Sequence, residues 1–153
     1  MASGGTGRLL RAALLGGLVA GTVDIGAAAT IFHAPPAIVL RAIASGLLGK
    51  GAAHGGVEIL VIGLLLQWAM SIVIAFIYDV AALRLPTLAR QWLAWGLAYG
   101  VGVYFVMTFV VVPLSMAANP PQSLMSRADN LAAMLLFGVI VAFFARGLAP
   151  SKA

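Results

Sequence analysis

The stretch "GGLVAGTVDIGAAATIF", Gly16 to Phe32, is apolar or small at nearly every position except Asp24. A helix of about 20 such residues is long enough to cross the hydrocarbon core of a bilayer. A carboxylate near the middle of that core is expensive and needs a reason to be there. If this run is a membrane span, the rest of the chain has to be explained in lipid as well.

Composition supports that reading. The chain has 153 residues, 63% of them hydrophobic and only 8% charged, with a mean hydropathy of +1.09. An ordinary soluble domain carries about 25% charged residues. A soluble fold this poor in charge would expose large apolar patches and aggregate. The sequence therefore predicts an all-α integral membrane protein, one domain over residues 1–153. The formal charge of +5 comes from basic residues spread thinly along the chain. They form no stripe with interleaved aromatics, so nucleic acid is not an expected partner. The expected partners are the bilayer, a second copy of the chain, or a larger membrane complex. There is no cysteine, which excludes disulfides, thiolate chemistry and cysteine metal sites.

Four segments are long and apolar enough to span: about 12–32, 57–81, 92–114 and 128–147. Short tails are expected at 1–8 and 148–153. Loop chemistry separates the spans: "HAPP" (His33 to Pro36), "LRLP" (Leu83 to Pro86) and "ANPPQS" (Ala118 to Ser123). Prolines have no backbone N–H to give a helix, so these belong at boundaries. The first run also has the look of a secretory signal, with Arg8 and Arg11 before it and Ala27-Ala28-Ala29 near its end. Its length and Asp24 argue for a retained span instead.

Orientation follows from the basic residues near span ends. Arg8, Arg11, Arg84, Arg90, Arg146 and Lys152 fall on one side; Arg41, Lys50 and Arg127 fall on the other. That bias predicts cytoplasmic N- and C-termini, with Trp92 and Trp95 as interfacial anchors.

In "PAIVLRAIASGLLGK" (residues 36–50), Val39, Leu40, Ile43 and Leu47 share one helical face, with Arg41 and Ser45 opposite. The spacing predicts an amphipathic helix over about 36–49, lying in the outer interface. A re-entrant segment is the alternative, because Gly46, Gly49 and Gly51 loosen a helix.

Two pieces of the chain echo each other. "GLVAG" (Gly17 to Gly21) and "GLAYG" (Gly96 to Gly100) open the first and third spans; "SIVIAF" (Ser71 to Phe76) and "GVIVAF" (Gly138 to Phe143) fall late in the second and fourth. Either a helical hairpin is used twice about an approximate two-fold along the membrane normal, or a limited apolar alphabet repeats itself by chance. The pairs Gly17/Gly21 and Gly96/Gly100 have a firmer meaning. Residues four apart on a helix form a small-residue groove where another helix approaches closely.

The four acids have different expected roles. Asp129 stands three residues after Ser126, the spacing of a capping box. Glu58 lies in the first turn of the second span, favoured by the helix dipole, with His54 one turn before it. Asp79 lies near a helix C-terminus and needs a cation; the echo places it opposite Arg146, and Arg84 is near in sequence. Asp24 is about eight residues, roughly 12 Å, inside its span. It can stay neutral, hydrogen-bond Gln67, Ser71, Tyr104 or Thr108, or line a wet cavity with His33, His54 and Glu58 near its mouth. The last arrangement suits a proton or cation site.

No catalytic residues emerge. His33 and His54 lack metal-motif spacing, a haem between them would sit at span edges, and "SGLLGK" (Ser45 to Lys50) lacks the first glycine and last Ser/Thr of a phosphate loop. No cofactor or metal is expected.

"IASGLLGK" before Gly55-Gly56, then "QW…SIVIAFIYDVA" and "GLAYGVGVYFVM…VVPLS", resembles a widespread group of short four-span bacterial proteins and, more loosely, the YagU-type inner-membrane proteins. The likeness covers most of residues 12–147 and implies a bacterial inner-membrane address. It implies no activity. Some members of the group carry histidine where this chain has Gln67, so a role resting on that histidine does not carry over. The expected function is that of a non-enzymatic accessory or structural protein acting through helix contacts. The alternative is a small proton- or cation-linked transporter or channel working as an oligomer.

Overall fold

The computed structural model describes residues 3–118 and 121–148; Lys152, the tail from 149 and Asn119-Pro120 of the third loop lie outside them. Among the described residues the secondary structure is helical throughout, without strands. The elements are α1 (Ser3–Ile31), α2 (Pro36–Leu48), a 3-10 turn (Lys50–His54), α3 (Val57–Arg84), α4 (Pro86–Arg90), α5 (Trp92–Val106), a π turn (Met107–Val111), α6 (Val112–Leu114), α7 (Leu124–Ala145) and a final 3-10 turn (Arg146–Leu148).

Four helices are long and apolar enough to cross a membrane: Gly4–Ile31, Val57–Arg84, Trp92–Leu114 and Leu124–Leu148. In lipid each backbone N–H and C=O must be satisfied within the chain, which a helix does locally. The outer surface is apolar to match: Leu65 is 56% exposed, Ile77 56% and Phe105 53%. The chain is a multi-pass membrane protein.

The ends of the helices follow local chemistry. Pro36 starts α2 at a position where its missing N–H costs nothing. Gly49, at φ 83°, ends it in a conformation other residues avoid. Glu58 turns back so that its Oε1 accepts the Gly56 N–H at 3.1 Å, satisfying a donor at the head of α3. Leu85 precedes Pro86 and is pushed out of the helical region, which separates α3 from α4. In the third span, Pro113 lacks an N–H and its ring crowds the turn before it. The helix widens there, with the Val112 N–H reaching the Met107 carbonyl.

Three expectations about helix ends change. The first helix begins at Ser3 instead of after a tail of eight residues. Arg8 donates to the Gly147 carbonyl, tying the first turns to the end of the last span and placing both ends on one side of the bundle. The fourth span begins at Leu124, and its cap is Ser123, which accepts the Ser126 N–H at 3.1 Å. Ser126 is therefore a capped residue, and Asp129 stands exposed on the second turn, outside the cap.

The helices pack in the order α3, α1, α7, α5. Each hairpin repeats one contact. A Cβ on Gly17 would fall 2.5 Å from the Ile72 Cα, and one on Gly21 would fall 2.5 Å from Ser71 Oγ. In the second hairpin, a Cβ on Gly96 would sit 3.0 Å from the Val139 Cα, and one on Gly100 would run into the Met134 carbonyl. The echoed segments are thus equivalent within their hairpins. Between hairpins the two-fold that a duplication would give is broken. α1 packs along α7, whereas the counterpart pair, α3 and α5, barely approach. They meet through long side chains: the Tyr78 and Tyr99 rings are 4.9 Å apart, and the Tyr99 hydroxyl donates to the Ile74 carbonyl at 2.7 Å.

The core lies toward the end of the bundle that holds the termini. It is built from Ala12, Ala20, Ala75, Ala82, Ala142 and Ala145 around Tyr78, Phe137 and Val141. Small residues let helices come close where lipid offers no hydrophobic drive to associate them.

Candidate functional site

At the opposite end the bundle is hollow. Because α3 and α5 diverge, the space between them forms a cavity of about 1150 Å³ bounded by α1, α2, α3, the third span and α7. That is slightly above the usual range of about 300–1,000 Å³ for small-molecule sites. Its walls are mostly apolar: Ile25 from α1 and Phe32 just after it, Ile43 from α2, Met70 from α3, Phe109 and Val112 from the third span. Exposed Val73 and Phe109 stand at its rim, on the side where α3 and α5 separate.

The helix α2 makes one wall, with Val39 and Ile43 of its apolar face lining it, but two residues depart from the expected faces. Ser45, expected on the outward polar face, is buried with Ala44, while Leu47 is 58% exposed. The reason is close packing. A Cβ on Gly63 of α3 would collide with the Leu40 carbonyl, so the two backbones touch, and only small side chains fit beside that contact. Arg41 Nε donates to the Gly55 carbonyl at 2.9 Å. The Met116 N–H donates to the Gly46 carbonyl at 3.0 Å, which ties α2 to the end of the third span.

On the inner wall of the cavity lie Asp24 and Gln67. Gln67 is 5% exposed. Its Nε2 donates to Asp24 Oδ2 at 2.8 Å and also lies 3.5 Å from the Gly21 carbonyl. Among the described residues the other Asp24 oxygen takes no hydrogen bond. Of the partners the sequence offered for Asp24, Gln67 is therefore the one used. Ser71 abuts Gly21, while Tyr104 and Thr108 face the same cavity from the third span. Beside the pair, Trp68 Nε1 donates to Thr22 Oγ1 at 3.1 Å.

The other candidates are not gathered here. His33 sits in the turn after α1 at φ 49°, His54 ends the 3-10 turn, and Glu58 caps α3. All three are exposed and none lines the cavity. Among the described residues no group of three His, Cys, Asp or Glu side chains converges as a metal site would require. The residues that sequence reasoning missed are Asn130 and Arg127 on α7 and Gln122 before it, which line the outer part of the cavity. Only the polarity of the α7 start hinted at them.

The expected Asp79–Arg146 pair does not form. Asp79 is fully buried, and neither carboxylate oxygen has a hydrogen-bond partner among the described residues. The Arg146 guanidinium turns outward and lies 3.9 Å above the Phe143 ring. The pair was placed by the two-fold, and the inter-hairpin packing does not keep that symmetry. The nearby hydroxyls are also engaged elsewhere: Tyr78 donates to the Leu88 carbonyl at 3.1 Å, and Tyr99 to Ile74.

No protein-family model, curated protein or solved structure matches this chain.

Proposed function

We propose that this protein is a non-enzymatic binding protein of a bacterial inner membrane, holding a small apolar or amphiphilic molecule in the cavity beside Asp24. The single observation behind the proposal is that cavity, walled by apolar side chains around one hydrogen-bonded carboxyl. Sites of this kind bind by burying apolar surface and use a few polar groups for orientation.

An accessory role through helix contacts would use the outer apolar surface. The grooves at Gly17/Gly21 and Gly96/Gly100 are filled by α3 and α7 of the same chain. The inner-membrane address rests on the resemblance of the "IASGLLGK" and "GLAYG" segments. Cytoplasmic termini rest on Arg8, Arg11, Arg84, Arg90 and Arg146 at the terminal end against Arg41, Lys50 and Arg127 at the other. Cation-linked transport through an oligomer is a second reading, favoured by the position of Asp24 on the cavity wall.

The test uses the neutral apolar fluorophore N-phenyl-1-naphthylamine with protein in phosphatidylcholine nanodiscs. Saturable fluorescence above empty discs is expected, and it should be lost on filling the cavity with Ala28→Phe or Ala133→Phe. Fluorescence no greater than that of empty discs would return the protein to an accessory role.

A further inference from the structure

The cavity holds one charged group well inside the bundle and one at its edge. Asp24 lies seven residues in from Ile31, about 10 Å of helix. Arg127 lies in the first turn of α7 and is exposed. A charge at the water boundary is screened within about 8 Å at physiological salt, whereas one among apolar walls is not. A cation placed beside Asp24 favours its ionised form, and that unscreened charge then outweighs Arg127 in the field the bound molecule meets. The carboxylate also has an acceptor to spare, because Gln67 occupies only Oδ2.

The surroundings suit a positive group. Tyr104 faces the cavity, with Phe32 and Phe109 at its edge, and aromatic faces attract cations. The remaining polar side chains that line the cavity, Thr108, Ser115, Asn130 and Gln122, are neutral. Access runs through the gap between α3 and α5, bordered by exposed Val73 and Phe109. A molecule dissolved among the lipid chains meets that gap directly. Such a molecule has an apolar body.

We infer that the cavity takes amphiphilic cations, the positive head against Asp24 and the apolar body along α2 and the third span. This deepens the binding reading above and rests on it. Gln67 holds the carboxyl oriented toward the cavity and acts as a positioning residue.

The experiment displaces N-phenyl-1-naphthylamine from the same nanodiscs with three amphiphiles of equal chain length: dodecyltrimethylammonium, dodecanol and dodecyl sulfate. Intact protein is expected to release the probe at about tenfold lower concentration of the cation than of the alcohol, and to respond least to the sulfate. Asp24→Asn should bring cation and alcohol together, and Asp24→Glu should restore the gap. Equal displacement by all three in intact protein, or preference for the sulfate, overturns the inference and leaves the binding reading standing. Failure of the probe to bind at all overturns the binding reading instead. Should Asp24→Asn not fold, the comparison of cation with alcohol on intact protein still decides.

Discussion

Gln67 reaches across from α3 to hold the Asp24 carboxyl of α1 at 2.8 Å. This bond links two spans at mid-depth and turns the most expensive residue of the first span toward the interior. Interhelical hydrogen bonds in membranes contribute modestly, about 0.6 kcal/mol on average and up to about 1.7.

Gln67→Leu should accordingly destabilise the bundle by about 0.6–1.7 kcal/mol, measured by detergent unfolding followed through tryptophan fluorescence. Asp24→Asn, which keeps a hydrogen-bond acceptor, should cost less than Gln67→Leu. The reverse order would mean that Asp24 is held by something other than Gln67.

The glycines separate into those that touch and those that do not. Gly100→Leu and Gly138→Leu must push α5 from α7, since a Cβ at either site already meets backbone. Overpacking of this kind costs about 1–3 kcal/mol or more. Gly26 and Gly102 have nothing within 4 Å, so Leu at those positions should leave thermal stability and monodispersity in detergent unchanged.

Asp79 makes the opposite prediction to Asp24. A buried polar group without a partner costs about 1–3 kcal/mol, so Asp79→Val should leave the protein equally stable or stabilise it by about 1 kcal/mol. Marked destabilisation in the same unfolding assay would reveal a partner, such as an internal water. Arg146→Gln should cost no more than its contact with Phe143, about 0.5–1 kcal/mol for an exposed cation–π pair.

Pro113→Ala should let the third span close into a regular α-helix by removing the cause of the π turn. That rotates everything beyond Met107 and strains the bond from the Met116 N–H to the Gly46 carbonyl. The absence of native cysteine makes the check direct. A Leu47→Cys/Ala117→Cys pair should change its crosslinking yield when Pro113 is replaced.

The legibility of the chain divides along the range of the forces involved. The span positions, the proline boundaries and the α2 helix could be read because backbone satisfaction in lipid and proline geometry are local properties. The glycine grooves were legible as grooves; that each is filled by the other arm of its own hairpin was not. Ser45 and Leu47 of α2 departed from their expected faces because helical periodicity sorts residues by polarity, whereas the close approach of α2 to α3 favours small side chains.

The sequence by itself determined a four-span helical protein with an acid inside its first span, since helix length, hydropathy and proline placement act within a few residues. Only the tertiary structure decided which acid has a partner. Asp24 meets Gln67, and Asp79 meets none among the described residues, because side chains far apart in the chain are brought together only by the order in which helices pack. The same order, with α3 and α5 left apart, opened the cavity.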